Sequence, residues 1–150
     1  MNKIIATNSN NWPALIARLA LGLTIFPHGA QKLLGWFGGY GFTGTMGYFT
    51  GTVGLPWVIG FLFIIIEFFA PLFLFLGLGT RIASAVIIVS FIGVMLTDAI
   101  HNGFFMNWAR EAGKGEGLEY FVLLFGVAFI SLVAGGGKAS IDAALIQNEK

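Results

Sequence analysis

The sequence predicts an all-α integral membrane protein, a four-helix bundle that forms a single transmembrane domain over residues 1–150. Hydrophobic residues make up 57% of the chain and charged residues only 10%, whereas ordinary soluble domains carry about 25% charged residues. The mean hydropathy is +0.85. Four apolar segments of about 20 residues each have the length that crosses a bilayer as a helix. Helices satisfy their own backbone hydrogen bonds in lipid, so a helical bundle is the expected architecture.

The four segments follow one another with short or glycine-rich connections. The predicted spans cover residues 13–34, 56–76, 81–100 and 118–134. Pro13 and Pro56 suit the first turn of a helix, where the missing N–H does no harm. We interpret the first span as a mature helix and not a secretory signal, because Arg18 interrupts its apolar run and no small-residue cleavage site follows Phe26. The tight turn Gly77–Gly79 makes the second and third spans antiparallel neighbours.

The connection between the first two spans is rich in glycine and aromatic residues. Residues 35–54 contain eight glycines, six aromatic residues and no charge. Aromatic rings favour the headgroup region of a membrane, so we predict a short interfacial or re-entrant helix around residues 43–52. The alternative is a disordered glycine-rich loop.

Four spans place both termini at the same end of the bundle as the Gly77–Thr80 turn. We call this the terminal end, and we call the opposite end, which carries residues 35–55 and 101–117, the loop end. Four basic residues belong to the terminal end and three to the loop end. The positive-inside rule therefore favours cytoplasmic termini.

One carboxylate, Glu67, lies near the middle of the second span. A charged side chain at that depth costs at least a few kcal/mol (about 2.5 or more) unless it is paired, protonated or hydrated. Pro71 lacks an N–H, so the backbone carbonyl of Glu67 also loses its usual helical donor. Glu67 could be a neutral acid bonded to a neighbouring helix, or its charge could be balanced by Lys32 or Arg18.

Polar side chains from the other spans fall in the same half of the membrane. At about 1.5 Å per residue, five of them lie roughly 6–16 Å from the midplane toward the loop end: His28, Lys32, Asp98, His101 and Glu119. Arg18 lies in the other half. We therefore predict a polar pocket that opens toward the loop end, with Glu67 as its floor. The alternative for each residue alone is a packing role or, near helix ends, snorkelling to the interface.

Composition and spacing exclude several other kinds of site. The absence of cysteine excludes disulfides, thiolate metal sites and cysteine-ligated iron–sulfur clusters. His28 and His101 differ in depth by roughly 10 Å, so a bis-histidine haem is not expected, and no metal motif is present. The net charge of +1 does not indicate nucleic acid binding.

Several short motifs, in order from Leu15 to Asp142, resemble the DoxX family. The first is R-x-x-L-G-x-x-x-x-x-H-G-x-Q-K, formed by Arg18, Leu21, Gly22, His28, Gly29, Gln31 and Lys32. The others are the glycine-aromatic segment Gly44–Pro56, the central glutamate followed by the Gly77–Arg81 turn, the pair Glu119 and Tyr120, and G-K-x-S-I-D ending at Asp142.

This resemblance implies a four-helix protein of a bacterial-type inner membrane. The family includes a membrane subunit of a quinone-reducing thiosulfate oxidoreductase and members linked to a membrane oxidoreductase complex, although most members have no assigned reaction. The matching polar positions are Arg18, His28, Gln31, Lys32, Glu67 and Glu119.

We therefore expect a membrane subunit of a quinone-linked oxidoreductase system. Glu67 and His28 would handle protons as catalytic groups. The expected ligand-binding residues are Arg18, Gln31, Lys32, Asp98, His101 and Glu119. Expected partners are the lipid bilayer, a quinone, soluble or membrane redox proteins and a second copy of the chain. The alternatives are a small proton-coupled transporter and a non-catalytic anchor for soluble redox partners, and whether the chain itself is an enzyme stays open.

Overall fold

The fold is all-helical in the computed structural model, which describes residues 5–148 and has no strand within that range. The helices are α1 Trp12–Leu34, α2 Gly41–Gly51, α3 Trp57–Leu76, α4 Thr80–Thr97, α5 Glu119–Ala134 and α6 Ile141–Asn148. Two short 3-10 turns cover Trp36–Gly38 and Ala99–His101.

Three helices, α1, α3 and α4, are long and apolar enough to cross a membrane. The fourth predicted span corresponds to α5, which is apolar but has only 16 residues. Many large apolar side chains on these helices are exposed, including Leu23, Leu62 and Val89. Since water would penalise this surface, the distribution fits a lipid environment and agrees with the predicted all-helical membrane class.

The longer helices pack in a ring. The extensive contact is between α1 and α3, and α3 also packs on α4, α4 on α5, and α5 on α1. In this arrangement α3 and α5 are diagonal to each other, so side chains that they direct inward meet in the middle. The apolar core there includes Leu21, Ile25, Leu74, Ile87 and Leu124.

Helix α2 forms where the glycine-aromatic segment predicted a short helix. It packs on α1 and α3 near the loop end, with the Met46 sulfur and the Phe49 ring against Gly60. A β-carbon at Gly60 would lie 3.2 Å from the Phe49 side chain, which would have to shift by a few tenths of an ångström.

The third span ends earlier than predicted. Helix α4 stops at Thr97, and the chain turns away through the 3-10 turn Ala99–His101 instead of continuing to residue 100. The side-chain amide of Asn102 donates to the carbonyls of Asp98 and Glu116, which fixes this turn to the following loop. The early end places Asp98 and His101 on the surface at the loop end.

Candidate functional site

The centre of the site is an ion pair between α1 and α3. Lys32 Nζ lies 2.6 Å from Glu67 Oε2. The Glu67 side chain is 2% exposed and that of Lys32 is 24% exposed. Lys32 therefore balances the buried carboxylate, and the other candidate cation, Arg18, does not.

Aromatic side chains hold the Lys32 ammonium in place. Its Nζ lies 5.7 Å from the centre of the Phe63 ring, within the range of a cation–π interaction. Phe63 in turn contacts Phe49 of α2, with ring centres 5.7 Å apart. Helix α2 thus contributes to the site by packing against the ring that supports Lys32.

The carbonyl of Glu67 lies against α1 and not in an open pocket. Pro71 removes its helical donor, as the sequence predicts, but the backbone of Gly29 packs directly against the Glu67 peptide. A β-carbon at Gly29 would overlap the carbonyl of Glu67. Glycine is therefore required at this point for α1 and α3 to approach so closely, and it brings Lys32, one turn further along, within reach of Glu67.

Tyr120 is a polar residue of α5 that is not among the predicted site residues. Its hydroxyl is buried and has no hydrogen-bond partner among the described residues. Tyr120 is on the same stripe of α5 as the buried Leu124 and Ala128, at spacings of four residues, and this period is the signal that would have placed it inside the bundle.

His28 and Gln31 lie beside the ion pair but on its outer side. His28 is exposed although it belongs to the second half of a membrane-length helix. Since residues four apart share a helix face, His28 is adjacent to Lys32. Gln31 is partly exposed, and its side-chain amide donates to the carbonyl of Phe37 at 3.3 Å.

Glu119, one of two further acidic residues predicted for the site, organises the loop end. Glu119 Oε2 accepts a hydrogen bond from the backbone N–H of Met106 at 3.2 Å, and its own N–H donates to the carbonyl of Phe104. Glu116 likewise accepts from the backbone N–H of Asn107. Glu119 therefore ties the 102–118 loop to the start of α5, and Asp98 and His101 stay on the surface nearby. The structure does not bring these three residues into the buried pair.

Arg18 is buried at the terminal end, where it binds five backbone carbonyls. Its guanidinium donates to Leu74 and Phe75 at the end of α3 and to Gly136, Lys138 and Ala139 after α5, at 2.6–3.2 Å. Asp142 lies beside it and accepts from the backbone N–H groups of Gly79 and Thr80. We call Arg18, Asp142 and these backbone groups the terminal clamp.

An apolar groove of about 370 Å³ lies elsewhere, between α3 and α4. Its lining includes Phe69 and Phe73 of α3 and Ile82 and Val86 of α4, and it contains no ionisable side chain. It is therefore separate from the Lys32–Glu67 pair.

The Lys32–Glu67 pair presents a carboxylate and a cation side by side. Within residues 5–148, no three His, Asp or Glu side chains come together as a metal site. A buried carboxylate and a cation meet between α1 and α3. Such a carboxylate can change its protonation state when a ligand competes for its cation.

Both a family model and a curated relative match this chain. The sequence model of the DoxX family matches residues 14–100. A protein of Bacillus subtilis (strain 168) named "Putative oxidoreductase CatD" is 30% identical over 93 residues, which are 62% of this chain and 64% of the relative. The match thus spans less than two thirds of that relative's length. No solved structure matches.

Proposed function

The chain belongs to the DoxX family, and on that premise we propose that it is the membrane subunit of an oxidoreductase system whose ligand is a quinone. A similar protein carries the name of an oxidoreductase, which supports the reaction class. The buried Lys32–Glu67 pair is the observation on which the ligand site rests.

In this proposal α1, α3, α4 and α5 form a four-helix bundle across a bacterial-type inner membrane, with cytoplasmic termini. Aromatic residues support this placement, because the loop end exposes Trp36, Tyr40, Trp57 and Trp108, which suit a headgroup region. Helix α2 would lie at that interface. The counterpart at the terminal end is Trp12, whose ring faces Lys138 Nζ at 4.2 Å.

Access to the site would come from the side of α1. Exposure falls from His28 at the surface, through Lys32, to Glu67 in the interior. These three side chains form a short polar path from the lipid-facing surface to the bundle centre. A quinone dissolved in the bilayer could bring its polar ring to this path while its apolar tail stays in lipid.

Each residue of the path would have a distinct role. Lys32 and Gln31 would donate hydrogen bonds to an oxygen of the ligand, Gln31 after release from the Phe37 carbonyl. Glu67 and His28 would accept or return protons, Glu67 at its carboxylate and His28 at its imidazole. The quinone supplies the redox chemistry when bound. Asp98, His101 and Glu119 would act only near the loop end, and Arg18 would hold the fold together.

The geometry supports a transporter less well. Transport across the membrane requires that the site open to both sides in turn. The terminal clamp fills the terminal end with a buried guanidinium that is bonded to five carbonyls, so a path through that end would have to break it.

A second function, the recruitment of a soluble redox partner, is favoured by the 102–118 loop. This loop is held by side-chain hydrogen bonds from Asn107 to the carbonyls of Glu111 and Lys114. It presents Trp108, which is 80% exposed. An ordered loop with an exposed aromatic residue is typical of an interaction surface.

The test is quinone binding to the full chain in lipid nanodiscs. We expect a short-chain quinone to bind, and Glu67→Gln to weaken binding at least about tenfold. Lys114→Ala, which removes an exposed partner of Glu111, is the control and should leave binding unchanged. Failure of both the wild-type chain and native-membrane preparations to bind or retain any quinone would overturn the proposal.

A further inference from the structure

Helix α2 packs on the face of α3 that leads to Glu67. Gly60, Phe63 and Glu67 follow one another on α3 at spacings of three and four residues, so they share one face of the helix. The Phe49 ring of α2 lies against Gly60 and packs on Phe63, with 5.7 Å between the ring centres. Phe63 in turn supports the Lys32 ammonium. Helix α2 is therefore linked to the ion pair through a single aromatic ring.

The sequence of α2 does not favour a stable helix. Glycine occupies four of its 11 positions, Gly41, Gly44, Gly47 and Gly51, and each glycine lowers helix stability relative to alanine. A helix of this length is also marginal in isolation. The preceding residue, Tyr40, makes no capping hydrogen bond through its side chain. The helix therefore depends on the side chains that pack on α3, and it is easier to displace than the long apolar helices.

Both connections of α2 contain residues whose φ is positive. Gly41 begins the helix at φ 65° and Gly54 follows it at φ 76°. Glycine tolerates this conformation and its alternatives equally, so both positions can act as hinges. Phe37 has a φ of 54° as well, which its β-carbon makes unfavourable, and its carbonyl accepts the hydrogen bond of the Gln31 side-chain amide. A ligand that takes over this amide would remove a bond that holds Phe37, which links occupancy of the site to the position of α2.

We propose that α2 is a hinged lid over the Lys32–Glu67 pair, and that a ligand enters and leaves when α2 swings away from α3. Phe49 moves with α2, which uncovers Phe63 and the face that ends at Glu67. This movement widens the access along α1 toward the loop end, and the lid closes when the aromatic contacts with α3 form again. The identity of the ligand as a quinone rests on the proposed function, whereas the opening of α2 does not.

The first experiment measures opening without a ligand. The chain has no cysteine, so Thr45→Cys introduces a single thiol on the inner face of α2, where Thr45 is 6% exposed. Thiol labelling in nanodiscs should be slow at this position and fast for Thr43→Cys, which is exposed on the same helix. Gly47→Ala/Gly51→Ala should slow the labelling of Thr45→Cys about tenfold, because alanine favours the helix. Neither added β-carbon meets a packed neighbour within 4 Å, and the same holds for the control on α4, Gly93→Ala.

The second experiment measures the binding kinetics of a short-chain quinone on the full chain in nanodiscs. Gly47→Ala/Gly51→Ala should slow association and dissociation alike, by about tenfold. The affinity should change less than about twofold, because the lid is closed in both the free and the bound state. A variant that only stabilises the fold would not slow both rates at constant affinity. Gly93→Ala should leave the rates unchanged.

The two experiments separate the lid from the proposed function. Slower thiol labelling together with no binding of any quinone would support the lid and contradict the proposed function. Quinone binding at rates that the two alanines leave unchanged would overturn the lid and leave the proposed function intact. A Thr45→Cys thiol that stays unlabelled while Thr43→Cys reacts, or whose labelling the alanines do not slow, would overturn the lid as well.

Discussion

Gly29 and Glu67 are in backbone contact, so that the α-carbon of one helix lies against the peptide of the other. The contact falls one turn before Lys32, at the carbonyl that Pro71 leaves without a helical donor. The carbonyl without a helical donor and the ion pair are therefore parts of the same α1–α3 interface.

Gly29→Ala should destabilise the fold by about 1–3 kcal/mol, the usual cost of forcing an extra group into a packed interior. The new methyl group would push α1 away from α3 and lengthen the Lys32–Glu67 distance. Thermal unfolding in detergent or nanodiscs measures the effect. The matched control is Gly93→Ala on α4, where a β-carbon meets no described atom within 4 Å. Equal stability of the two variants would contradict the contact.

Lys32→Met should destabilise the protein by about 3 kcal/mol, because removing one partner leaves a buried charge uncompensated. The double variant Lys32→Met/Glu67→Gln should recover most of that loss, since neither charge remains. A double-mutant cycle from unfolding measurements gives the coupling energy.

The same cycle on the exposed Lys114–Glu111 pair serves as the comparison. Lys114 and Glu111 form an exposed pair at 3.4 Å, and such pairs contribute about 0–1 kcal/mol. A coupling for Lys32 and Glu67 no larger than that of the exposed pair would show that the buried pair does not stabilise the fold.

Arg18→Lys should be destabilising even though the charge is kept. Lysine has no planar fork and at most three donors, and the five carbonyls of the clamp belong to two separate segments. We expect a loss of about 3 kcal/mol or more from the missing charge-assisted hydrogen bonds. Arg110→Lys at an exposed loop position should be neutral. A clamp variant as stable as Arg110→Lys would disprove the structural role of Arg18.

His28→Leu should separate function from stability. His28 is exposed on a helix that faces lipid, so leucine should leave the unfolding temperature unchanged or raise it. Quinone affinity should fall, because the outermost polar side chain of the path is lost. A drop in stability with unchanged affinity would show that His28 has a packing role instead.

The helices follow from local sequence, whereas the partners of the polar residues do not. Apolar runs with prolines at their first turns are enough to place α1 and α3. The distance of each residue from the membrane midplane does not decide between Lys32 and Arg18 as the partner of Glu67. The rotation of the helices about their axes determines which side chains meet. The predicted depths also put Asp98 and His101 near the site, because the third span was expected to continue to residue 100.

Tyr120 illustrates a different limit of sequence reasoning. A pattern of charged residues does not include a neutral phenol, although burying its hydroxyl without a hydrogen bond also costs free energy. The apolar stripe of α5 contains the information, since Tyr120, Leu124 and Ala128 share one face. A polar atom on a buried face is the feature to look for.

The terminal clamp also has a consequence for how the chain is made. Arg18 enters the membrane early in synthesis, but three of its five acceptors lie 118–121 residues later in the sequence. Until residues 136–139 emerge from the ribosome, the guanidinium must be held by water, lipid headgroups or the insertion machinery. A nascent chain stopped before residue 136 should therefore remain sensitive to protease and to quality-control degradation. Synthesis of the segment that follows α5 should fix the final topology.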